Sequence, residues 1–493
     1  MPVSRRDFLK LTGAALGTVG TGFALNQAKP TPQALAAADD PVLHLLNRIT
    51  WGPRPDELER AQAIGFEAYL DEQLSPDTLD DSEMETRLAS LPALNMDRRT
   101  VYRLEEHRVY MALVEGMILR AVYSKRQLLE RMVEFWSDHF NIAAGDFAHE
   151  LVGFQNRAIR PHALGNFRDM LFATAQSPAM LYYLDNFINV AEHPNENYAR
   201  ELLELHTLGV DGGYTETDVR EVARAFTGWT VHDGTPTGFY FDLEVHDTGE
   251  KTVLGHRLPA GRGIEDGLHV LDIVARHPST ARFICRKLCV RFVSDNPPQS
   301  LVESAAAVWM ANHGEIRPVL RHIFLSEEFR QSVGQKLRRP LDFFIGALRA
   351  TGTEIHSYWV MDEMLAKLAQ TPYGWGPPDG YPDTAPAWMT SSGLLARWNT
   401  ALALTHTATS EADTGMTAHL YERIGEPTTV GELVDAVARQ VFAAPLPAEA
   451  RGPFIAFAAD DGGPDTPVTH HLLSRKLSSL FALMLASVLY QWR

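Results

Sequence analysis

Residues 195–209 of the chain read NENYARELLELHTLG, and this stretch indicates the fold class. Its apolar residues recur three and four positions apart, which is the spacing of the buried side of an α-helix, and Gly209 follows as a helix breaker. Residues 215–218, Thr-Glu-Thr-Asp, form a capping box that predicts a second helix through Phe226. Because helical spacing recurs along the chain and strand alternation is scarce, the sequence predicts a mainly α-helical protein. It predicts a large multi-helix domain, with two fused helical subdomains as the alternative.

Further helices are predicted at about 100–124, 126–140 and 165–175. Residues 229–258 are the exception, because Gly, Thr and aromatic residues there include short β-prone pieces, and they predict a small β-hairpin excursion. Residues 371–387 combine prolines, glycines and aromatic residues in a segment too stiff for helix or strand. Its tryptophans favour an ordered loop that packs on the body of the protein.

The composition is that of a globular protein. The chain has 493 residues, of which 45% are hydrophobic, and its 62 acidic against 45 basic side chains give a formal charge of −17. This acidic surplus argues against a nucleic-acid partner, because binding to phosphates needs positive patches. The two cysteines, Cys285 and Cys289, share one helical face in a geometry that suits a disulfide poorly, so they are predicted to be buried thiols.

The N-terminus has the features of a twin-arginine export signal in the expected order. Arg5 and Arg6 precede Phe8-Leu9, a weakly apolar stretch and a small-residue cleavage site at 34–36. We therefore predict a signal peptide over residues 1–36, recognition by the twin-arginine translocation machinery, and a periplasmic or extracellular protein that is exported folded. The alternative is a frayed N-terminal helix. The mature chain is predicted to lack a transmembrane span, because no later run reaches about 18–20 apolar residues.

One face of the helix predicted at 195–208 is dense in polar side chains. At 100° per residue, Arg200, Glu201 and Glu204 lie within about 140° of Glu196. This face predicts a carboxylate-rich polar site, which a divalent cation could occupy and whose carboxylates could perform acid–base catalysis. The alternative is a solvent-exposed face whose i, i+4 ion pairs contribute only about 0.3–0.5 kcal/mol each.

The helix predicted at 126–140 supplies a second group of candidates. Glu130, Glu134 and Asp138 lie within about 80° of one another on its wheel, and His139 stands close to its end. The simpler interpretation of His139 is a core or capping histidine. The sharper hypothesis is that His139 joins the side of Glu201 or Glu204 in one site.

Several motifs occur together along the chain. They are LLNR at 45–48, WGP at 51–53, FWSDHF at 135–140, the block at 195–209, FTGW at 226–229, His246-Asp247 with Lys251, HPSTA at 277–281 and GYP at 380–382. Together they resemble the bacterial family called domain of unknown function 1800, and the resemblance covers residues 37–493 as a single domain. Near the terminus, at 487–490, the sequence departs from the family pattern. The resemblance implies a helical fold, export and a sulfatase-like neighbouring protein, but no established reaction.

Two functional hypotheses follow. The first is an exported protein with an enzymatic or cation-binding site, built from Glu196, Arg200, Glu201, Glu204 and His139. The second is a non-catalytic binding or assembly protein, in which the aromatic loop around Trp375 and Trp388 docks the sulfatase-like exported partner. The sequence contains no nucleophile elbow, phosphate-binding loop, dinucleotide fingerprint or zinc-protease helix, so several common enzyme classes lose support.

Overall fold

The computed structural model describes residues 40–356, 358–406, 415–460 and 462–493. Residues 1–36, which the sequence predicts to be an export signal, lie outside the described residues. Among the helices of the described part, none combines the length and the hydropathy that crossing a membrane requires.

Helices dominate the described residues, as the spacing of apolar residues predicts. The first half of the chain has α1 (Pro41–Ile49), α2 (Pro55–Ile64), α3 (Phe66–Leu74), α4 (Ser82–Leu88), α5 (Arg98–Val101), α6 (Glu106–Tyr123), α7 (Gln127–His139), α8 (Ala148–Phe154), α9 (Phe167–Ala175), α10 (Pro178–Tyr183), α11 (Asn197–Glu201) and α12 (Glu216–Ala225). The second half has α13 (Glu265–Ala275), α14 (Pro278–Phe292), α15 (Gln299–Ala311), α16 (Ile316–Leu325), α17 (Glu327–Arg330), α18 (Pro340–Thr351), α19 (Tyr358–Lys367), α20 (Ala385–Trp388), α21 (Ser391–His406), α22 (Leu420–Arg423), α23 (Val430–Phe442), α24 (Ala448–Ala458), α25 (His470–Ala486) and α26 (Val488–Gln491). The mainly α fold class is thereby confirmed.

Short antiparallel strand pairs complete the described fold. The pairs are β1 (Trp229–Val231) with β2 (Phe239–Phe241), β3 (Lys251–Val253) with β4 (His256–Leu258), and β5 (Glu354–Ile355) with β6 (Met416–Thr417). The β3–β4 hairpin turns through Leu254 and Gly255, whose φ angles of 48° and 79° are those of a two-residue hairpin turn. The hairpin excursion predicted near 229–258 is confirmed, and it contains two hairpins.

Local sequence signals set several helix starts. Thr215 accepts a hydrogen bond from the Asp218 backbone N–H, and the Asp218 carboxylate accepts one from the Thr215 N–H at 2.9 Å, which forms the predicted capping box of α12. His277 caps α14 by accepting from the Ser279 N–H at 3.1 Å. Such caps satisfy N–H groups that the first turn of a helix leaves without partners.

The buried apolar side chains form two main clusters. The first gathers residues between 42 and 329 together with Ala443, and the second gathers residues between 341 and 490 together with Trp51 and four residues of α6. Helix α6 belongs to both, because Leu113 faces the first cluster and Val114 the second. The two clusters therefore share a helix, and the single domain over 37–493 stays a prediction.

The helix predicted at 195–208 is less regular than the sequence suggests. α11 ends at Glu201, and Leu202–Thr207 forms a π-helical turn. In this turn the Leu208 N–H donates to the Leu203 carbonyl at 2.9 Å, five residues back. The regular helical wheel is wrong beyond Glu201 for this reason.

Candidate functional site

A network of buried charges lies where helices α7 and α14 meet the aromatic loop, which we define as residues 371–387. Arg291 of α14 and Arg339, which precedes α18, both contact the carboxylates of Glu134, Asp138 and Asp383, and Arg339 also approaches Asp342 at 3.6 Å. The Arg339 Nη2 to Glu134 Oε1 distance is 2.5 Å and the Arg291 Nε to Asp383 Oδ2 distance is 2.5 Å. Two guanidinium groups therefore share three carboxylates, which leaves one negative charge to be balanced.

Burial and the neighbouring charges shift the pKa values of Asp138 and Asp383 in opposite directions. Burial and the neighbouring Glu134 raise the pKa of Asp138. Burial acts in the same direction on Asp383, but Arg291 and Arg339 outweigh it and lower its pKa. Asp383 therefore stays ionised, whereas Asp138 is protonated more readily than an ordinary aspartate.

The aromatic loop is anchored on the C-terminal end of α7. The Asn141 amide donates to the carbonyl oxygens of Trp375 and Pro377 at 2.9 and 2.7 Å, and the Ala144 N–H donates to the Tyr373 carbonyl at 2.8 Å. The Trp375 indole in turn donates to the Asp379 carboxylate at 2.7 Å. The predicted ordered loop is thus present over 371–384, and it packs on the body through backbone carbonyl groups. The prediction is wrong for 385–387, which belong to α20, because a proline is tolerated in the first turn of a helix.

A cavity of about 360 Å³ lies between this loop and helices α7 and α14. We call it the Lys287 cavity. Its charged lining residues are Asp138, Asp379, Asp383, Arg286, Lys287 and Arg291. Asp138, Asp383 and Arg291 also belong to the buried network, whereas Arg286, Lys287 and Asp379 stand outside it.

Lys287 and His139 form a hydrogen-bonded pair at the wall of this cavity. The His139 Nε2 lies 3.0 Å from the carbonyl oxygen of His206, which can only accept, so this nitrogen carries the proton. His139 Nδ1 is then an acceptor, and Lys287 Nζ donates to it at 3.0 Å. In the described part of the chain no carboxylate lies within ion-pairing distance of Lys287 Nζ. The amine of Lys287 can therefore interact with a ligand in the cavity.

The environment of this pair favours neutral forms. Burial lowers the pKa of Lys287 to about 8, although Asp138 and Asp383 act to raise it. Burial and Lys287 lower the pKa of His139 well below its ordinary value. A lysine of this kind has an appreciable fraction of free amine near neutral pH, which an ordinary surface lysine lacks.

Of the candidate residues that the sequence identifies, His139 and Asp138 line the Lys287 cavity, whereas Glu196, Arg200, Glu201 and Glu204 do not. Glu196 and Arg200 lie at the surface, where the Arg200 guanidinium binds both carboxylate oxygens of Glu216 at 2.9 and 2.8 Å. The side chains of Glu196 and Arg200 are 39% and 36% exposed. For this pair the structure gives the solvent-exposed face that the sequence leaves as an alternative.

Glu201 is the last residue of α11, Glu204 lies in the π-helical turn that follows, and both are half-buried. Burial and Glu204 raise the pKa of Glu201, and Glu204 accepts from the Tyr214 hydroxyl at 3.4 Å. His139 contacts this segment at the His206 backbone and not through the glutamates. No group of three or more His, Cys, Asp or Glu side chains within the described ranges is arranged to hold a metal ion.

Lys287 is not among the residues that the sequence nominates, although a signal for it exists. Helix α14 carries four basic residues, which are Arg282, Arg286, Lys287 and Arg291, and no acidic residue. A helix of that composition must find its counter-charges on other elements. The motif at 380–382 is another signal, because it lies in the loop that closes the cavity.

Comparison with known families assigns the chain to one of them. The model of the family described as protein of unknown function (DUF1800) matches residues 44–492. The chain belongs to this family. No curated protein and no solved structure matches the chain. As a DUF1800 protein it has no established biochemical activity, and the Lys287 cavity is the feature from which a function can be proposed.

Proposed function

We propose that this DUF1800 protein is an exported enzyme whose active site is the Lys287 cavity, with Lys287 as its amine base or nucleophile. The observation that carries the proposal is the 3.0 Å hydrogen bond from Lys287 Nζ to His139 Nδ1 at the wall of a cavity of about 360 Å³. His139 fixes the direction of the amine, and the His206 carbonyl fixes the tautomer of His139. An amine held in this way can accept a proton or attack a carbonyl carbon.

The arginine at the rim of the cavity favours a small carbonyl compound that carries an anionic group. Arg286 is exposed at the rim and lies one residue from Lys287, so it can pair with a carboxylate while the amine meets the carbonyl. In imine formation, the free amine of Lys287 attacks the carbonyl carbon, water leaves, and a carbon–nitrogen double bond remains. Asp138, which lines the cavity and whose pKa is raised, can supply the proton that the departing hydroxyl group needs.

Selective modification of the lysines tests this proposal. The full chain is treated with trinitrobenzenesulfonate across pH 6–10, and the modified peptides are quantified by mass spectrometry. The reactive form is the free amine, so we expect the modification rate of Lys287 to rise through about pH 8. An ordinary lysine would rise through about pH 10.4. The exposed Lys367, which pairs with Glu363, is the internal reference.

A second measurement tests the chemistry itself. We expect glyoxylate with cyanoborohydride to leave a reduced adduct on Lys287, and the adduct to disappear in Lys287→Met but not in Lys367→Met. His139→Leu should slow adduct formation by about 10-fold or more, because the amine loses its orienting partner. If Lys287 is modified only near pH 10 and gives no adduct above that of Lys367, the proposal is wrong.

Export is part of the same proposal. It rests on Arg5-Arg6 and the features that follow them in the sequence. We expect Arg5→Lys together with Arg6→Lys to retain the chain in the cytoplasm, since the twin-arginine translocation machinery reads the paired arginines. The lysine pair keeps the positive charge. Unchanged export of this variant would therefore show that only positive charge is required, and it would contradict recognition of the paired arginines.

A second candidate function is assembly with a sulfatase-like exported partner. The aromatic loop favours it, because Gly376, Pro377 and Asp379 are exposed on a segment whose backbone is held by hydrogen bonds, and a fixed loop loses little entropy on docking. Met389 follows the loop with 44% of its surface exposed. We expect Met389→Asp to abolish co-purification of that partner. Met310→Asp, at a residue 40% exposed on α15, should not.

A further inference from the structure

A second cluster of charged side chains is buried deeper than the Lys287 cavity. Four arginines and one aspartate meet where α1, α7 and α18 approach the C-terminal residues of the chain. They are Arg48, Arg131, Arg338, Arg493 and Asp342, and none is more than 6% exposed. This cluster does not depend on the proposed function, because none of its members lines the Lys287 cavity.

Carboxylates do not balance the arginines of this cluster. Asp342 binds Arg131 and accepts from Arg493 Nη2 at 3.1 Å. Arg48 and Arg338 have no carboxylate within ion-pairing distance among the described residues. Arg48 donates to backbone carbonyl oxygens only, and Arg338 donates to the Tyr490 carbonyl at 3.0 Å and to an asparagine side chain. Among the side chains of the cluster, four guanidinium groups therefore face one carboxylate.

The nearest further charges do not remove this imbalance. Arg339 also approaches Asp342, at 3.6 Å, and brings another positive charge. Asp295 acts on Arg48 from a distance, but its carboxylate is bound by Lys336 Nζ at 2.5 Å. Because guanidinium groups stay protonated in proteins, the excess positive charge has to be met by something other than these side chains.

Several N–H groups of the cluster have no acceptor in the described part of the chain. They are Nε of Arg48, Nε and Nη2 of Arg131, Nη1 of Arg338, and Nε and Nη1 of Arg493. Buried donors without acceptors are rare in folded proteins, and charged ones are the most costly. The number of such donors in one place indicates that an acceptor is bound among them.

Space for that acceptor exists beside the cluster. A cavity of about 80 Å³ is lined by Arg338 and Arg493, with His44, Asn47 and Trp492 among the other lining residues. A cavity of this size exceeds the roughly 10–15 Å³ that a single water needs on the same measure. It is large enough for a small inorganic anion.

We propose that this cavity binds a small inorganic anion, held by the guanidinium groups of Arg338 and Arg493 and stabilising the fold. The anion accepts from the unpaired N–H groups of Arg338 and Arg493, the cluster members that line the cavity, and supplies negative charge that Asp342 alone does not provide. Burial and Arg338 lower the pKa of Arg48 to about 9, and burial lowers the pKa of Arg493 despite Asp342. Both pKa shifts arise because positive charge is buried without enough counter-charge, and a bound anion would supply that counter-charge.

Thermal unfolding of the full chain in sodium chloride and in sodium gluconate, at equal ionic strength, tests the anion site. We expect the melting temperature to rise with chloride and to level off, as binding to the folded state alone requires, and to stay flat in gluconate, which is too large for the cavity. Sodium phosphate forms a third arm, and a rise there alone would assign the site to a polyatomic anion.

Variants separate this site from general salt effects. Arg338→Met should lose the chloride dependence, whereas Arg321→Met should keep it, because Arg321 is exposed and pairs with Glu67 and Asp71 at the surface. Should Arg338→Met fail to fold, chloride-35 NMR of the unaltered protein provides the same answer, through line broadening that phosphate or bromide reverses. Equal melting curves in all salts and no such broadening would show that water alone fills the cavity and would overturn the proposal.

Discussion

Gly380 determines how closely the aromatic loop approaches the helix that carries His139. Its φ is +75°, and a Cβ built on it would lie 2.1 Å from the backbone carbonyl oxygen of Asp138. Any side chain would therefore combine an unfavourable left-handed backbone with a clash against backbone atoms that cannot move aside. The glycine of the 380–382 motif is required at this position by contact and by conformation.

We expect Gly380→Ala to lower the free energy of unfolding by about 2–4 kcal/mol, because backbone strain and overpacking act together. Gly376→Ala in the same loop is the matched control, since no heavy atom lies within 4 Å of the Cβ it would add. Urea unfolding followed by tryptophan fluorescence compares the two variants. A loss of similar size in both would contradict the close approach at Gly380.

The aromatic loop behaves as one element because its backbone is tied to neighbouring helices at several points. Asn141 supplies two of these ties, and it is only 3% exposed. The Tyr183 hydroxyl adds a third by donating to the Gly376 carbonyl at 2.5 Å. These hydrogen bonds hold the loop in position together with the packing of Tyr373 against the first apolar cluster.

We expect Asn141→Ala to cost about 1–3 kcal/mol and to release the aromatic loop, since two carbonyl groups lose a buried donor. Limited proteolysis should then cut within 371–387 while the rest of the chain stays protected. Asn312→Ala is the control, because it removes one comparable bond, 2.8 Å to the Val308 carbonyl, far from the loop in sequence. Cleavage of both variants at equal rates would exclude Asn141 as the anchor.

Across the whole molecule, the buried histidines couple stability to pH. Burial and Arg48 lower the pKa of His44 to about 3, burial and Lys287 lower that of His206 to about 3, and His139 shifts in the same direction. Unfolding returns each to about 6.5. The unfolded state therefore binds more protons below this value, and stability present above pH 6.5 is lost as the pH falls.

We expect each of these histidines to cost about 2 kcal/mol at pH 5 relative to pH 7, from the 1.36 kcal/mol per pH unit of linkage. Asp138, whose pKa is raised, acts in the opposite sense, so variants isolate the histidine effect. Urea unfolding at both pH values should show that His44→Gln reduces the drop by about 2 kcal/mol. The exposed His471→Gln should leave it unchanged, and an unchanged drop in His44→Gln would contradict a neutral buried His44.

Helices, caps and hairpins could be predicted because they depend on residues close together in the chain. The capping box at Thr215 and the hairpin excursion near 229–258 follow from neighbours within a few positions. The π-helical turn after Glu201 could not be predicted, because a regular wheel assumes the same hydrogen-bond spacing throughout. A helical wheel shows which side chains share a face of one helix, such as the glutamates of 195–208. It contains no information about contacts between helices, such as the hydrogen bond from Lys287 to His139.

By itself the sequence determined the helical class of this protein, its family resemblance and the residues that cap its helices, since local spacing and local hydrogen bonds suffice for these. Only the tertiary structure decided the candidate site. Lys287 and His139 are 148 positions apart, and Arg131 and Asp342 are 211 apart. Such pairs form because buried charges must find partners wherever the packed helices bring them, and a chain read in one dimension does not contain that information.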